Sequence, residues 1–250
     1  MKPIPSNDAA HWHTTRISTD GTHHTAAGHP LYAERFDVVQ KFHTPGLAPV
    51  SKARSAWHIR TNGSAAYNER YAITYGFYEN RAAVSDGSQW FHIAPDGAPI
   101  SHLRYAWCGN FQEGFCPARD RDGAYLYVGI DDAPRFDERW RYAGDFRDGV
   151  AVVQAHDGRS SHINTRGHLV HRAWFHDLDV FHKGWARAKD AAGWLHIGSD
   201  GTPAYRRRFV SVEPFYNGQA RVELADGTLE IITPDGATVH VLRHGKGVSR

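Results

Sequence analysis

The sequence has little sulfur, no long apolar run and almost no charge imbalance. Its 250 residues include 2 cysteines and 1 methionine, too few cysteines for a disulfide framework. Nowhere do about 18 apolar residues follow one another, and the first residues lack the apolar core of a signal peptide. We therefore expect a cytoplasmic protein without membrane contact and with reduced thiols, although Cys108 and Cys116 could face each other across a hairpin.

The charges argue against a nucleic-acid partner. Lys and Arg number 29 against 27 Asp and Glu, which leaves a net charge of +2. The basic residues are spread along the chain instead of forming the cluster that contacts a phosphate backbone. Helices are also not expected, because Gly, Pro or Asp-Gly interrupts every stretch that could carry an amphipathic period. The sequence predicts an all-β protein.

A repeat with a period of 34 or 35 residues runs through the chain. Its most regular mark is a phenylalanine, found at Phe42, Phe77, Phe111, Phe146, Phe181 and Phe215. Seven residues before each of these stands an arginine, replaced by Trp174 in the fifth copy. Such a fixed period indicates that each unit packs against its neighbours.

Each repeat contains extended segments separated by Gly-containing turns, which is typical of a meander of four short strands. A single domain over 1–250 is predicted, with an N-terminal half-repeat and six full repeats: 11–32, 35–69, 70–103, 104–138, 139–173, 174–207 and 208–242. Four-stranded meanders in this number predict a closed six-bladed β-propeller, with seven blades as the alternative. The half-repeat could pair with the last blade as a closing clasp.

The repeats resemble the WG repeat family. The match covers about residues 12–242 and is clearest in GWARAKDAAGWLHIGSDG (184–201), although Trp-x-His-Ile or Trp-His-Ile mostly replaces the Trp-Gly pair of that family. The resemblance implies a repeat architecture. It also implies a role in interactions, since such proteins are often presumed to mediate them, but it implies little chemistry.

Residues that recur in every copy are interpreted as scaffold. One repeat position holds His58, His92, His162 and His196. A ring of histidines could bind a metal, but Tyr127 occupies the same position in another copy, so we predict buried structural histidines and no metal. Recurring Glu-Arg pairs such as Glu34-Arg35 are expected to be structural ion pairs.

Function is expected where the side chains differ from copy to copy. An asymmetric ligand on a pseudo-symmetric scaffold needs a different group from each repeat, and the strand between the arginine and the phenylalanine varies in this way. The candidate catalytic residues are Asp177, Asp179, His182 and Glu213. The candidate ligand-binding residues are His43, Tyr75, Trp107, Asn110, Tyr142, Asp145, Arg147 and Tyr216.

Two functional hypotheses follow from this set. Asp177 and Asp179 share one strand face, and repulsion between two carboxylates would raise the pKa of one of them. With stacking aromatics, that favours cofactor-free acid/base conversion of a sugar-like molecule by an isomerase, epimerase, lyase or glycosidase reaction. Motifs of serine hydrolases, zinc proteases, kinases and dehydrogenases are absent from the sequence. The alternative is a non-catalytic WG-repeat module that binds a protein partner.

Overall fold

The computed structural model describes residues 12–245. Apart from one short 3₁₀ helix (Trp12–Thr14), its regular elements in this range are antiparallel β-strands, which confirms the all-β prediction. No helix in the described range is long and apolar enough to span a membrane. The chain divides into two compact units, Met1–Asp137 and Glu138–Arg250, and the division lies one residue before the predicted border between the repeats 104–138 and 139–173.

The first unit contains four three-stranded sheets, each joined by antiparallel pairing in chain order. Their strands are β1 (Arg16–Ile17), β2 (His24–Ala26) and β3 (His29–Pro30); β4 (Val38–Val39), β5 (Ala48–Lys52) and β6 (Ser55–Ile59); β7 (Ile73–Thr74), β8 (Ala82–Ser85) and β9 (Trp90–Ile93); β10 (Trp107–Cys108), β11 (Phe115–Arg119) and β12 (Tyr125–Gly129).

The second unit contains two further three-stranded sheets and one four-stranded sheet. Their strands are β13 (Tyr142–Ala143), β14 (Val150–Gln154) and β15 (Ser160–Asn164); β16 (Asp177–Leu178), β17 (Ala186–Asp190) and β18 (Gly193–Ile197); β19 (Ser211–Val212), β20 (Ala220–Glu223), β21 (Leu229–Ile232) and β22 (Thr238–Arg243).

Every predicted full repeat contains one of these sheets. The half-repeat 11–32, whose first residue lies outside the described range, forms the three-stranded sheet β1–β3 on its own. The described residues therefore form seven sheets. The number of blades and the closure of a ring stay predictions.

The fourth strand of the predicted meander forms fully only in the last sheet. In the second sheet it is reduced to two isolated bridges, Ile59↔Ala65 and Ala56↔Tyr71. In this segment the Arg70 guanidinium donates hydrogen bonds to the carbonyls of residues 67, 68 and 69. The arginine is not required for the reduced strand, because the sheet β13–β15 has the equivalent bridges Ile163↔Leu169 and Ser160↔Phe175 where Trp174 replaces it.

The same contact corrects the predicted Glu-Arg ion pairs. Arg35 donates to the three carbonyls of residues 32, 33 and 34, while the Glu34 carboxylate pairs with Lys52. Arg208 repeats the pattern on the carbonyls of residues 205, 206 and 207. Arg35 thus caps backbone carbonyls, and Glu34 pairs with Lys52 instead of with Arg35.

Five of the six repeating phenylalanines pack on a buried imidazole from the preceding repeat, whereas the corresponding position before Phe146 holds Tyr127. The rings of His58 and Phe77 lie 4.5 Å apart, those of His92 and Phe111 lie 4.8 Å apart, and His162 and Phe181 lie 4.2 Å apart. Phe181 is partly buried, whereas the other five phenylalanines are buried. The five phenylalanines that make the imidazole contact therefore occupy corresponding positions, and Phe181 is the least buried of them.

The buried histidines also hydrogen-bond consecutive repeats to each other. His58 donates Nε2–H to the carbonyl of Tyr75 at 2.8 Å, and His196 donates to the carbonyl of Glu213 at 2.8 Å. Because Nε2 carries the proton, Nδ1 accepts a hydrogen bond, which comes from a tyrosine hydroxyl. Tyr67 supplies it to His58, and Tyr205 supplies it to His196.

Removing one repeating phenylalanine should destabilise the protein strongly. Phe146 is buried, so Phe146→Ala is expected to lower the free energy of unfolding by roughly 3–5 kcal/mol. The control Tyr216→Ala removes a ring that is 70% exposed and should change it by less than about 0.5 kcal/mol. Urea denaturation followed by circular dichroism measures both. Equal losses in the two variants would contradict the burial of Phe146 in the core.

The buried histidines should make the fold sensitive to acid. Burial lowers the pKa of His58, His162 and His196 from 6.5 to about 4. The unfolded chain therefore binds more protons between pH 6.5 and 4, so the free energy of unfolding is retained above pH 6.5 and falls as the pH drops through this window.

Urea denaturation between pH 7.5 and pH 4.5 would show this effect. His196→Gln removes one titrating group and should make the pH dependence shallower. The control His168→Gln changes an exposed histidine and should leave the slope unaltered. A midpoint that does not move between pH 7 and pH 5 would count against buried, neutral histidines.

Candidate functional site

Three tight turns of the second unit present candidate side chains. In each, a residue with positive φ precedes a glycine with positive φ, such as Asp148 (52°) and Gly149 (76°). Two residues with positive φ are what a two-residue type I′ hairpin needs. The residues just before the turns are Arg147, His182 and Tyr216, and each forms a bridge across its turn.

A cavity of about 530 Å³ lies between two of these turns in the second unit. It is lined by Tyr142, Gly144, Asp145, Arg147, Val152, Leu178, Asp179, Val180, His182 and Pro214. Five of the lining residues belong to the predicted site: Tyr142, Asp145, Arg147, Asp179 and His182. The repeat position that varies among copies therefore does face a cavity in this unit.

Asp179 is held by an arginine from the neighbouring strand β17. Arg187 binds the Asp179 carboxylate through Nε and a terminal nitrogen, and it also donates to the carbonyl of Val212 at 3.2 Å. The side chains of this ion pair are about one third exposed. The carboxylate is thereby fixed as a hydrogen-bond acceptor and does not face Asp177 as a repelling partner.

Asp145 differs from Asp179, because its carboxylate has no hydrogen-bond or ion-pair partner in the described part of the chain. Neighbouring groups desolvate the carboxyl and raise the pKa of Asp145 above 3.8, although much of the residue is exposed. A raised pKa means that the charged form of the carboxyl group is less favoured than in an ordinary aspartate. Asp145 is thus the acid of the cavity with the most suitable environment for proton transfer or for binding a donor.

The other predicted residues of the second unit lie outside this cavity. Asp177 is exposed and accepts a hydrogen bond from the backbone N–H of Leu178 at 2.9 Å. Glu213 pairs with Arg221 and lines a separate cavity of about 450 Å³. The exposed ring of Tyr216 has the Lys183 ammonium 4.9 Å from its centre.

Four predicted ligand-binding residues belong to the first unit. The Tyr75 ring packs 5.0 Å from that of Trp90, and Trp107 lies 6.0 Å from another aromatic ring, that of Tyr125. His43 lies 4.7 Å from Tyr78. Asn110 has a buried Oδ1 with no hydrogen-bond partner among residues 12–245. Three of these residues thus pack against aromatic rings, and the fourth has a buried oxygen without a hydrogen-bond partner in the described range.

The four histidines considered as metal ligands lie in four different sheets. His162 donates Nε2–H to the carbonyl of Asp179 at 2.8 Å and accepts at Nδ1 from His171 at 2.9 Å. With His58 and His196 bonded as described above, these imidazoles have protein partners on both nitrogens. Within the described range, no group of three or more His, Cys, Asp or Glu side chains is placed to hold a metal ion.

His92 has a different set of partners, which the repeat pattern does not reveal. Its Nδ1 lies 2.7 Å from Oδ1 of Asp132, and its Nε2 lies 3.4 Å from Sγ of Cys116. Asp132 also accepts a hydrogen bond from Ser101 at 2.8 Å. Ser101 stands at the position where Tyr67 and Tyr205 stand in other repeats. This replacement was the sequence signal that His92 needs a different hydrogen-bond partner.

This carboxylate–imidazole–thiol arrangement is buried. His92, Asp132 and Cys116 are each 0% exposed, and no described cavity is lined by them. Cys108 is also a buried free thiol, and burial raises its pKa well above 9.0. A nucleophile must reach its substrate, so we interpret the arrangement as part of the scaffold.

No family model matches the sequence, and neither does any curated protein. The structure is similar to BamB from Moraxella catarrhalis, with 12% identity, 86% of this chain and 77% of that chain covered, and a TM-score of 0.47. It is similar to Hsv2p of Kluyveromyces lactis, with 10% identity, 78% and 73% covered, and a TM-score of 0.44. The WD40 β-propeller domain of Doa1 gives 12% identity, 67% and 66% covered, and a TM-score of 0.33.

These values are too low to assign a function. The propeller-like repeat fold rests on the seven antiparallel sheets themselves. The resemblance to the WG repeat family stays a prediction.

The ion pair between Asp179 and Arg187 changes what the substitution Asp179→Asn should do. If the Asp179 carboxylate repelled Asp177, its removal would stabilise the protein. Because it is paired with Arg187, its removal is expected to destabilise the protein instead. We expect Asp179→Asn to lower the free energy of unfolding by up to about 1 kcal/mol. A double-mutant cycle with Arg187→Gln, measured by urea denaturation, should give a favourable coupling of similar size. Stabilisation by Asp179→Asn, with no coupling, would show that the pair does not form.

Proposed function

We propose that this chain is a non-catalytic interaction module whose second unit binds an exposed segment of a partner protein. One observation carries the proposal: two of the predicted catalytic carboxylates, Asp179 and Glu213, are each neutralised by an arginine of the adjacent strand. Acid/base catalysis needs a group that can exchange its proton with the substrate. A carboxylate held by a guanidinium serves better as a fixed part of a binding surface.

The side chains around the cavity suit a protein partner. Tyr142 is 49% exposed and Tyr216 is 70% exposed. Arg147 and Lys183 are exposed as well, and the Lys183 ammonium lies 4.9 Å from the centre of the Tyr216 ring. Tyrosine and arginine are the residue types that contribute most often to protein–protein binding energy. The cavity, with Val180 and Pro214 in its lining, has room for a side chain of the partner.

The predicted WG-repeat relationship points in the same direction, because members of that family are often presumed to mediate interactions. Repetition also suits this role, since a scaffold fixed by recurring contacts tolerates different side chains at the variable positions. A partner protein would contact the side chains at those variable positions in the second unit.

A second candidate function is favoured by Asp145. Its raised pKa and its place in a cavity with Tyr142 and His182 are what cofactor-free acid/base conversion of a sugar-like molecule would use. In this alternative Asp145 exchanges the proton, and Asp179 with Arg187 binds hydroxyl groups. The reaction class would be an isomerisation, elimination or glycoside hydrolysis.

Site-specific crosslinking would test the interaction module. A photoreactive phenylalanine analogue at position 216 should crosslink to one distinct protein in cells that express the full chain, because this ring is the most exposed aromatic of the surface. The same analogue at position 239, which is 51% exposed on β22, serves as control. The crosslinked protein is then purified, and its binding is measured by calorimetry.

The purified partner should bind the native chain, and Tyr216→Ala combined with Arg147→Gln should weaken binding at least about tenfold. Val239→Ala should leave the affinity unchanged. Equal crosslinking at both positions, or an affinity insensitive to the double substitution, would contradict the proposal. Saturation-transfer NMR with monosaccharides that is lost in Asp145→Asn would support the second candidate instead.

A further inference from the structure

The first unit contains another cavity, of about 430 Å³, at the start of the described chain. It lies beside the 3₁₀ helix, β1 and the segment that follows β4. Its lining consists of Trp12, His13, Thr15, Arg16, Ile17, His24, Lys41 and Phe42. Its volume falls within the usual range for small-molecule sites, and neither functional hypothesis uses it.

Aromatic rings form part of its wall. Trp12 stacks on His13 with ring centres 3.5 Å apart, and its indole also lies against Gly46, where a Cβ atom would come within 3.2 Å of the ring. Phe42 packs 4.3 Å from the His24 ring. His24 uses both nitrogens, on the Tyr32 hydroxyl and the Gln40 carbonyl, so it acts as wall and not as a ligand.

The ionisable groups of this cavity are cationic or imidazole, and no aspartate or glutamate lines it. Arg16 and Lys41 are exposed, and among residues 12–245 neither side chain has a hydrogen-bond or ion-pair partner. Lys52 of the same unit shows the contrast, because it is paired with Glu34. Two unpaired cations beside a cavity make it electropositive and attract an anion.

We propose that this cavity binds a small anion that carries a planar ring, with a carboxylate or a phosphate as the charged group. The ring would lie against Trp12 and Phe42, and the charged group would be bound by Arg16 and Lys41. Guanidinium and ammonium groups both bind carboxylate and phosphate oxygens. The site goes beyond the proposed function, because it lies in the first unit and shares no residue with the partner-binding cavity.

Three matched probes test the role of charge: 1-naphthoate, 1-naphthyl phosphate and neutral 1-naphthamide, each titrated into the full chain by calorimetry. The two anions should bind saturably at one site, and at least about tenfold more tightly than the amide. Their affinity should fall as salt is raised from about 50 mM to about 500 mM, while that of the amide should not. Tighter binding of the phosphate would identify phosphate esters as the source of the anion, and tighter binding of the carboxylate would identify carboxylic acids.

Substitutions then locate the site. Arg16→Gln and Lys41→Gln should each weaken binding of both anions at least about fivefold and together remove the preference over the amide. Lys41→Arg should restore binding to the native range. Arg121→Gln, an exposed arginine in a turn of the same unit, should have no effect, and circular dichroism shows that each variant is folded.

Three results would overturn the proposal. They are equal affinities for the amide and the anions, anion binding that persists in the Arg16→Gln, Lys41→Gln double variant, and no saturable anion binding by the native chain at millimolar concentration. None of them bears on the crosslinking at position 216, so the two proposals fail separately.

Discussion

The hydrogen bond from a buried imidazole to a backbone carbonyl of the next repeat is the constraint on which the remaining structure depends. His58 and His196 make it to the carbonyls of Tyr75 and Glu213, and His162 makes it to that of Asp179. The bond fixes the backbone at the acceptor and places no demand on its side chain. A repeat can therefore keep its packing while the acceptor residue changes from tyrosine to aspartate or glutamate, which is how one scaffold presents different chemistry in each copy.

The same logic explains the one repeat that departs from the pattern. Where Ser101 replaces the tyrosine, the Nδ1 atom of His92 would lose its hydrogen-bond partner inside the core. Asp132 fills this place from the following repeat and binds both His92 and Ser101. An aspartate accepts and does not donate, so Nδ1 must carry the proton here. The Nε2 atom lies 3.4 Å from Cys116 Sγ and 3.5 Å from the carbonyl of Gly109, so the contact with the next repeat is longer here than the 2.8 Å bonds made by His58, His162 and His196.

Much of the fold could be predicted from the sequence, because the recurring Phe, His and Gly report contacts that most copies share. Part of the site could also be predicted, since Asp145, Asp179 and His182 do line one cavity. The partners of the charged groups could not. The sequence predicts an ion pair between Glu34 and its neighbour Arg35, yet the Arg35 guanidinium binds backbone carbonyls. Backbone carbonyls are present at every position and therefore carry no sequence signal. Arg187 stands opposite Asp179 through an antiparallel hydrogen bond, and only the strand register brings together two residues eight positions apart.

Charge at one repeat position distinguishes the two cavities that carry the proposals. Six residues after the recurring arginine stand Lys41 in the first full repeat and Asp145 in the fourth. Lys41 adds a cation to a cavity without carboxylates, whereas Asp145 adds a carboxyl with a raised pKa to a cavity that also contains Asp179 and Arg147. Neither position is required by the histidine bond or by the phenylalanine contact. Because the scaffold is satisfied without them, the ligands of the two units can differ in charge with no change in the fold.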